Sequence, residues 1–239
     1  MPFVSDTFTN TNGTLLENHT PEVGGAWEKL DTNYQGDAHG SAAIRNNGLE
    51  DRSDMYRNAT DPSSNNIVVE MDAVLWQEGG NQNSSNSYAK ILARMTPSVT
   101  AFGDVDCYVL GVSGNLNNFI GRGPAIARLS GGILTYLGGV DSIEWNDGQV
   151  YTFRAEIEDE GDDVRLRLYL DDALLVDVLD TSPITQTGRV GVNVGREGSR
   201  IENFAASSLG ADVFDPANFS VTIDGTTAQL SWDASPLFT

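Results

Sequence analysis

Cysteine is almost absent from this chain. Cys107 is the one cysteine among its 239 residues, so no disulfide can form within one copy of the protein. Small secreted modules usually depend on several disulfides, because their cores are too small to be stable alone. A chain of this length buries enough apolar surface to fold without such links. We therefore expect one large domain, or one domain with a small appendage.

Basic residues are also scarce. Lysine and arginine together number 14 against 34 aspartates and glutamates, and the formal net charge is -20. Nucleic acids and anionic membrane surfaces are bound through clusters of Lys and Arg, so this composition argues against both as partners. No apolar run approaches the ~20 residues that cross a bilayer. The first ten residues lack the basic and apolar regions of a signal peptide. We expect no membrane insertion and synthesis in a cytoplasm.

Helical periodicity is nearly missing, whereas apolar and polar residues often alternate with a period of two. In the segment VRLRLYL, for example, Val164, Leu166 and Leu168 share one face. The pair Asp171-Asp172 predicts a tight hairpin turn between two strands. Many short strands separated by turns indicate an all-β sandwich or barrel. Polar stretches predict longer loops near residues 31–40, 45–53, 58–66, 79–87 and 113–124.

The chain changes character after Leu209. A linker-like stretch, GADVFDPAN, precedes FSVTIDGTTAQLSWD, which predicts a separate β-hairpin. An isolated hairpin is marginal in water, so its apolar face needs a cover. We therefore divide the chain into a sandwich, residues 1–208, and a C-terminal linker with a β-hairpin, residues 209–239, as a candidate assembly arm. The residues predicted to form its contacts are Phe219, Val221, Ile223, Leu230 and Trp232.

Two groups of motifs resemble a known family. The first is DTF followed by GTLLENHTPEVGGAWEKL, and the second is the series YTFRAEIE, VRLRLYLDDALLVDVLD, GRVGVNV and IENFAAS. Over residues 3–208 they resemble the concanavalin A-like, laminin-G-like jelly-roll domains of bacteriophage and bacterial surface proteins. The resemblance implies an all-β, antiparallel two-sheet jelly-roll sandwich, here with a C-terminal β-hairpin extension. Members of the family bind glycans, cleave glycans or serve as structural and adhesion modules, so the fold implies no single function.

The leading hypothesis is a non-enzymatic virion structural protein. A bacteriophage capsid decoration or head-surface protein is the first choice, and a tail or fibre protein is the second. Its partners would be other virion proteins, such as a capsid protein, and further copies of itself, with a trimer as the usual solution on an icosahedral lattice. The expected location is the virion, after synthesis in the host cytoplasm.

An alternative hypothesis is a carbohydrate-binding adhesion module for cell-surface glycans. Its exposed aromatic rings would stack on the apolar faces of sugars, whereas most aromatic rings of a sandwich are core packing. The candidate sugar platforms are Trp27, Trp76, Tyr88 and Trp145.

A third hypothesis is a glycoside hydrolase of the jelly-roll glucanase type. In VEMDAVLWQE, Glu70 and Asp72 match the first two acids of the E-x-D-x-x-E pattern that the resemblance implies for glucanases. The third acid should fall within residues 74–76, and Glu78 comes too late. Retaining hydrolysis needs two carboxyl groups about 5 Å apart. The sequence therefore predicts no catalytic residues and no enzyme.

No cofactor is predicted from the residues. Related jelly rolls imply one alternative, a structural calcium ion between the first and last strands, with Asp6 and Glu202 as candidate ligands. The run EIEDEGDD, residues 156–163, contains six acids but does not match the spacing of an EF-hand loop. It is predicted to be an acidic hairpin turn.

Overall fold

The computed structural model is built almost entirely of β-strands. It describes residues 1–30, 42–50, 55–75, 88–96, 104–113, 123–140, 143, 145–146, 148–195 and 199–210, and the backbone of residues 219–224 and 227–232. Within these residues, no helix has the length and apolar character needed to cross a membrane.

One short 3-10 helix, Leu16–Asn18, accompanies the strands. The strands are β1 (Val4–Asp6), β2 (Thr14–Leu15), β3 (Trp27–Leu30), β4 (Ala43–Arg45), β5 (Gly48–Glu50), β6 (Met55–Asn58), β7 (Ile67–Val74), β8 (Tyr88–Met95), β9 (Cys107–Ser113), β10 (Pro124–Ser130), β11 (Ile133–Gly139), β12 (Val150–Glu160), β13 (Asp163–Leu170), β14 (Ala173–Asp180), β15 (Arg189–Gly195), β16 (Arg200–Ser208), β17 (Phe219–Asp224) and β18 (Thr227–Trp232).

Two antiparallel sheets form the layers of a sandwich. The nine-stranded sheet has the order β14-β13-β12-β7-β16-β5-β4-β2, and β1 pairs with β16. The seven-stranded sheet has the order β11-β10-β9-β8-β15-β6-β3. The chain crosses between the sheets so that the first and last strands of the sandwich are neighbours. The predicted all-β two-sheet jelly roll is confirmed.

Alternation along the strands explains the two-layer arrangement. In β12, Tyr151, Phe153, Ala155 and Ile157 are buried, and the residues between them face outward. Apolar side chains on alternate positions form one inward face per strand, and the two inward faces pack together. Burial of this shared face removes apolar surface from water, which is the main favourable term in folding.

Two-residue turns set the register of two hairpins. Asp171 and Asp172 both have positive φ, 47° and 65°, as a tight turn between β13 and β14 requires. Asn46 and Asn47 adopt the same conformation, with φ of 51° and 57°, between β4 and β5. The predicted turn at Asp171 is therefore confirmed. The predicted loop 45–53 is wrong, because Gly48–Glu50 forms β5 directly after the asparagine turn.

The core between the sheets contains aromatic and polar contacts that join the layers. The ring of Trp27 lies edge-on to Phe204, with centroids 5.5 Å apart. The hydroxyl of Tyr108 on β9 donates a hydrogen bond to the carboxylate of Asp180 on β14 across 3.0 Å. The hydroxyl oxygen of Tyr108 also accepts a hydrogen bond from the backbone N–H of Ile184. Buried polar groups are thus satisfied across the two layers.

The C-terminal hairpin forms a third, two-stranded sheet. Strands β17 and β18 pair with each other, and none of the pairings among the described strands joins them to either layer. The register pairs Phe219 with Trp232 and Val221 with Leu230, which places these positions on one face of the hairpin. The side chains of the predicted assembly arm, Ile223 included, lie outside the described part of the chain. The boundary between residues 208 and 209 stays a prediction.

Candidate functional site

Glu70 and Asp72 lie on the outer face of β7, next to β12 and β16. The carboxylate of Asp72 accepts hydrogen bonds from the Thr152 hydroxyl and the Asn203 side-chain amide, each 2.7 Å long. The pKa of Glu70 is raised because burial outweighs the attraction of Arg154. The positions where the third acid of a glucanase is required include Val74, which packs in the core, while Trp76 and Glu78 lie outside the described residues.

The remaining outer face of the nine-stranded sheet is a ladder of ion pairs. The guanidinium of Arg154 stacks on the Tyr169 ring at 3.7 Å, and the Tyr169 hydroxyl donates to Glu156 across 3.0 Å. Arg167 binds both Glu156 and Glu158. Alternate residues of adjacent strands face the same side, so opposite charges are cross-strand neighbours here. The four acids of the run 156–163 that lie on β12 therefore form ion pairs with arginines.

Trp27 belongs to a buried polar cluster. Its side chain is 2% exposed, and its indole N–H donates to Oδ2 of Asp6 across 2.6 Å. Oδ1 of Asp6 accepts from the Phe8 backbone N–H and contacts Nε2 of His19 at 2.8 Å. A ring enclosed in this way has no face for a sugar, because stacking needs an exposed ring. The structure thus corrects the prediction of a sugar platform at Trp27.

The protonation of His19 follows from its neighbours. The backbone N–H of Thr11 donates to Oδ1 of Asn10, so the amide NH₂ of Asn10 faces Nδ1 of His19 at 3.2 Å. Nδ1 must therefore accept, and the ring proton lies on Nε2, where it is donated to Asp6. The hydrogen bonds of Asp6 with His19 and Trp27 join strand β1 to the core.

The structure does not bring Asp6 and Glu202 together as calcium ligands. A cation at Asp6 would have to replace three hydrogen-bond donors, and Glu202 pairs with Arg200 at 2.6 Å. In the part of the chain that the structure describes, no group of three or more His, Cys, Asp or Glu side chains could hold a metal ion. These residues do not fit a calcium site between β1 and β16, because a hard cation needs several free oxygen ligands.

Two further predicted platforms are packed side chains. Tyr88 and Trp145 are each 8% exposed. The Trp145 ring packs edge-on to Tyr151 with centroids 5.0 Å apart, and an added Cβ at Gly195 would meet the Tyr88 ring at 2.1 Å. As at Trp27, the structure corrects the prediction for these two residues, because neither presents an open ring face.

The outer face of the seven-stranded sheet carries a different set of groups. Lys90 on β8 is the cross-strand neighbour of Asn193 on β15 and of Gly111 on β9. The row continues through Ala125 on β10 to Gly139 on β11. We call Gly111, Ala125 and Gly139 the small-residue row. Gly111 and Ala125 are buried, and Gly139 on the edge strand is exposed.

Gly111 is required for this arrangement. Its φ is +145°, and a Cβ added there would meet the carbonyl oxygen of Ala89 at 2.3 Å. Real Cβ atoms do not approach backbone so closely, so any other residue would force β8 and β9 apart. The close approach of the β8 and β9 backbones therefore requires a glycine at this position of the small-residue row.

Tyr136 lies at the open end of this row. Its side chain is 53% exposed, the largest exposure of an aromatic ring among the described residues. Its hydroxyl would be 2.7 Å from a Cβ added at Gly139, so the ring extends over the small-residue row. No hydrogen bond from this hydroxyl to a described residue is present. Sequence reasoning overlooked Tyr136, although its place on a strand just after the Gly131-Gly132 turn marks an edge hairpin.

Apolar residues line the adjoining part of the same outer face. Leu92, Val109 and Leu129 are at most 2% exposed and form a cluster separate from the main core. The outer face of the seven-stranded sheet is thus apolar at its centre, with Lys90, the small-residue row and Tyr136 along one side. Because the apolar side chains are buried, the exposed part of this face lies along its edge strand, at Tyr136 and Gly139.

Known structures share this architecture. No protein-family model and no curated protein matches the chain. The VIP36 exoplasmic/lumenal domain in its Ca²⁺/Man-bound form matches with a TM-score of 0.55 and 12% identity, covering 90% of this chain and 91% of that one. A protein with a galectin-like fold from Bacillus subtilis matches with a TM-score of 0.52 and 11% identity, covering 76% of this chain and 89% of that one. The chain thus has the jelly-roll β-sandwich fold of concanavalin A-like and galectin-like proteins.

Proposed function

We propose that this protein is a non-enzymatic carbohydrate-binding module whose site is the outer face of the seven-stranded sheet. The observation that carries the proposal is the exposed ring of Tyr136 above Gly139. A pyranose presents an apolar C–H face to such a ring, while its hydroxyls need donors and acceptors at the rim. Lys90 lies on the same face of the sheet, and its ammonium is a hydrogen-bond donor.

The solved structures support the class of ligand. The VIP36 domain was crystallised in Ca²⁺/Man-bound and Ca²⁺/Man2-bound forms. It shares only the fold with this chain, at 12% identity, so it supports a sugar as ligand without indicating which one. A bound calcium ion like that of the Ca²⁺/Man-bound VIP36 domain finds no support at Asp6 and Glu202.

A glycan array followed by calorimetry tests this proposal. We expect the wild-type protein to bind at least one glycan, and Tyr136→Ala to weaken that binding about tenfold, since one stacking contact contributes roughly 1–2 kcal/mol. Ile133→Ala is the matched control. Ile133 is 71% exposed on the same strand, but it lies three positions from Tyr136 and therefore faces the other side of the sheet. Equal affinity of wild type and Tyr136→Ala would contradict the site, and no binding to any glycan would contradict the function.

A second candidate function is the virion structural role, with the protein as a bacteriophage capsid decoration, tail or fibre component. The self-paired hairpin of β17 and β18 favours it, since an isolated hairpin needs a partner surface to be stable. Light scattering of the full chain and of a chain ending at Leu209 tests the assembly arm. We expect an oligomer, such as a trimer, for the full chain and a folded monomer for the shorter one. Two folded monomers would contradict this role for the hairpin.

A further inference from the structure

Strand β11 has a free edge that carries no charge. It is the last strand of the seven-stranded sheet, and among the described strands it pairs only with β10. Its sequence, ILTYLGG, contains no charged residue, whereas β14, the last strand of the other sheet, contains Asp177 and Asp180. Charged residues commonly protect sheet edges, because the free backbone N–H and C=O groups would otherwise pair with another chain. The edge of β11 is therefore a candidate site of strand addition.

The inward side of β11 is open at one end. Thr135 lies opposite Arg128, whose guanidinium contacts Asp180 of the other sheet, so Thr135 and Ile133 face inward. Ile133 is nevertheless 71% exposed, and Thr135 is exposed as well. At the other end of the strand, a Cβ added at Gly138 would meet a side chain of β14 at 2.6 Å. The nine-stranded sheet thus covers the end of β11 at Gly138 and leaves the end at Ile133 open.

The C-terminal hairpin has features that complement this edge. Its strands β17 and β18 pair with each other and with neither layer. Their register places the apolar positions of both strands on one face of the hairpin, and these positions are Phe219, Val221, Ile223, Ala228, Leu230 and Trp232. Asp224 is the one charged residue of the two strands. An isolated hairpin is marginal in water, so its apolar face needs a surface of the kind that β11 leaves open.

A hairpin from a second copy of the chain fits this edge. Ile133 is 71% exposed in the complete chain, so no segment of the same copy covers it. Each copy has a net charge of -20, and contacts that place like charges opposite each other are unfavourable. The β11 edge and the two hairpin strands avoid such contacts, because Asp224 is their one charged residue. The nine residues 210–218 span at most about 30 Å when extended, which lets the hairpin reach a neighbouring copy.

We propose that the C-terminal hairpin of one copy adds to the β11 edge of a neighbouring copy, where its apolar face covers Ile133 and Thr135. Backbone hydrogen bonds join the strands along residues 133–136, because the extra residue Leu137 interrupts the regular pairing beyond them. This inference rests on the assembly role of the hairpin, the second candidate function, and names the surface that receives it. The contact joins two different surfaces, so it closes into a ring, such as a trimer, or continues as a chain of copies.

Sedimentation velocity of the full chain at several concentrations tests the inference. Thr135→Lys places an inward charge at the edge and should weaken association by about tenfold or more. Ile133→Lys is a second edge variant, because a residue that is 71% exposed accepts a charge without loss of the fold. Leu174→Lys is the matched control, since Leu174 is 50% exposed on β14, the edge strand of the other sheet. It should associate like the wild type. Circular dichroism checks that each variant is folded.

A mixing experiment examines both surfaces together. Val221→Lys disrupts the apolar face of the hairpin and leaves the β11 edge intact, whereas Thr135→Lys does the reverse. We expect each variant alone to be a monomer. An equimolar mixture should form a complex with one copy of each variant, because the intact hairpin of one can add to the intact edge of the other.

The outcomes separate this inference from the function on which it rests. An oligomer that survives both Thr135→Lys and Ile133→Lys overturns β11 as the receiving edge and leaves the assembly role intact. Self-association of Val221→Lys alone would indicate pairing between two β11 edges, and a mixture that stays monomeric would show that the hairpin does not add to this edge. Either result overturns the inference. A wild-type monomer at every concentration overturns both the inference and the assembly role.

Discussion

The indole N–H of Trp27 and the carboxylate of Asp6 are 2.6 Å apart in the core. Asp6 is 1% exposed, and burial raises its pKa even though Trp27, His19 and the Phe8 backbone N–H all counteract that rise. A buried carboxylate without such donors would be costly. The polar edge of Trp27 therefore stabilises the N-terminal strand in the sandwich.

Trp27→Phe should lower the free energy of unfolding by about 2–4 kcal/mol, because it leaves a cavity and removes one donor from a buried carboxylate. Urea denaturation followed by circular dichroism measures the change. The double variant with Asp6→Asn separates the two terms. We expect a coupling energy of about 1–2 kcal/mol between the residues. Additive effects of the two substitutions would contradict the hydrogen bond as a source of stability.

Lys90→Met should raise the free energy of unfolding more at neutral pH than at alkaline pH. The pKa of Lys90 in the folded protein is about 8, below its ordinary value of 10.5. Between these two values the unfolded chain binds a proton that the folded protein does not, so the stability of the wild type rises with pH in this window. The advantage of Lys90→Met should therefore shrink by about 1–3 kcal/mol from pH 7.5 to pH 10.5. Guanidinium denaturation at several pH values measures it, and a constant difference would contradict the shift.

Glu70→Gln should stabilise the protein by a few tenths of a kcal/mol, roughly, at neutral pH, since solvent screens this half-buried carboxylate. Its pKa in the folded protein is raised by burial, with Asp172 and Asp72 adding to the effect against Arg154. The penalty is present above that pKa and absent once the carboxyl is protonated in both states. The gain should thus disappear in acid. Glu158→Gln, which loses an ion pair with Arg167, is the control and should show no gain.

Glu70→Gln also tests the hydrolase hypothesis. We expect no release of reducing sugar from β-glucans by the wild-type protein, because the strand provides Glu70 and Asp72 without a third acid at Val74 or Leu75. Hydrolysis by the wild type that is lost in Glu70→Gln would establish a glycosidase and replace the binding function.

Gly111→Ala should destabilise the sandwich by about 2–4 kcal/mol, because its Cβ would overlap the Ala89 carbonyl in addition to the strain at φ +145°. Gly131→Ala is the matched control. Gly131 has a positive φ of 55°, but no atom lies within 4 Å of an added Cβ. Its substitution should cost only about 1 kcal/mol. Thermal unfolding of both variants measures the difference, and equal losses would show that steric contact at Gly111 is unimportant.

Local patterns predicted part of the fold because their cause is local. Alternation identified the buried face of β12 and β13, since each side chain in a strand faces opposite to its neighbour. The Asp171-Asp172 turn was evident from residues that tolerate positive φ. The Asn46-Asn47 turn was missed, because two adjacent asparagines in a polar stretch resemble any loop when the flanking strands, such as Gly48–Glu50, are only three residues long.

The candidate site was harder to predict than the fold. Exposure of an aromatic ring depends on what the other strands place above it, so Trp27 and Tyr136 could not be distinguished along the chain. The structure buries Trp27 against Asp6 and leaves Tyr136 open over Gly139. Lys90 was inconspicuous for the same reason, because its neutral neighbours come from β9 and β15.

The amino-acid sequence by itself determined the all-β class and the poor suitability for nucleic acid, since these follow from period-two alternation and total charge, whereas the two-sheet arrangement was implied by the family resemblance. Only the tertiary structure decided which charged side chains meet. Cross-strand pairing joins residues far apart in the chain, such as Glu28, Arg57 and Arg189, and a Coulomb interaction depends on their separation in space. For that reason Arg189 forms ion pairs with Asp61 and Glu28, which lie 128 and 161 positions away in the chain.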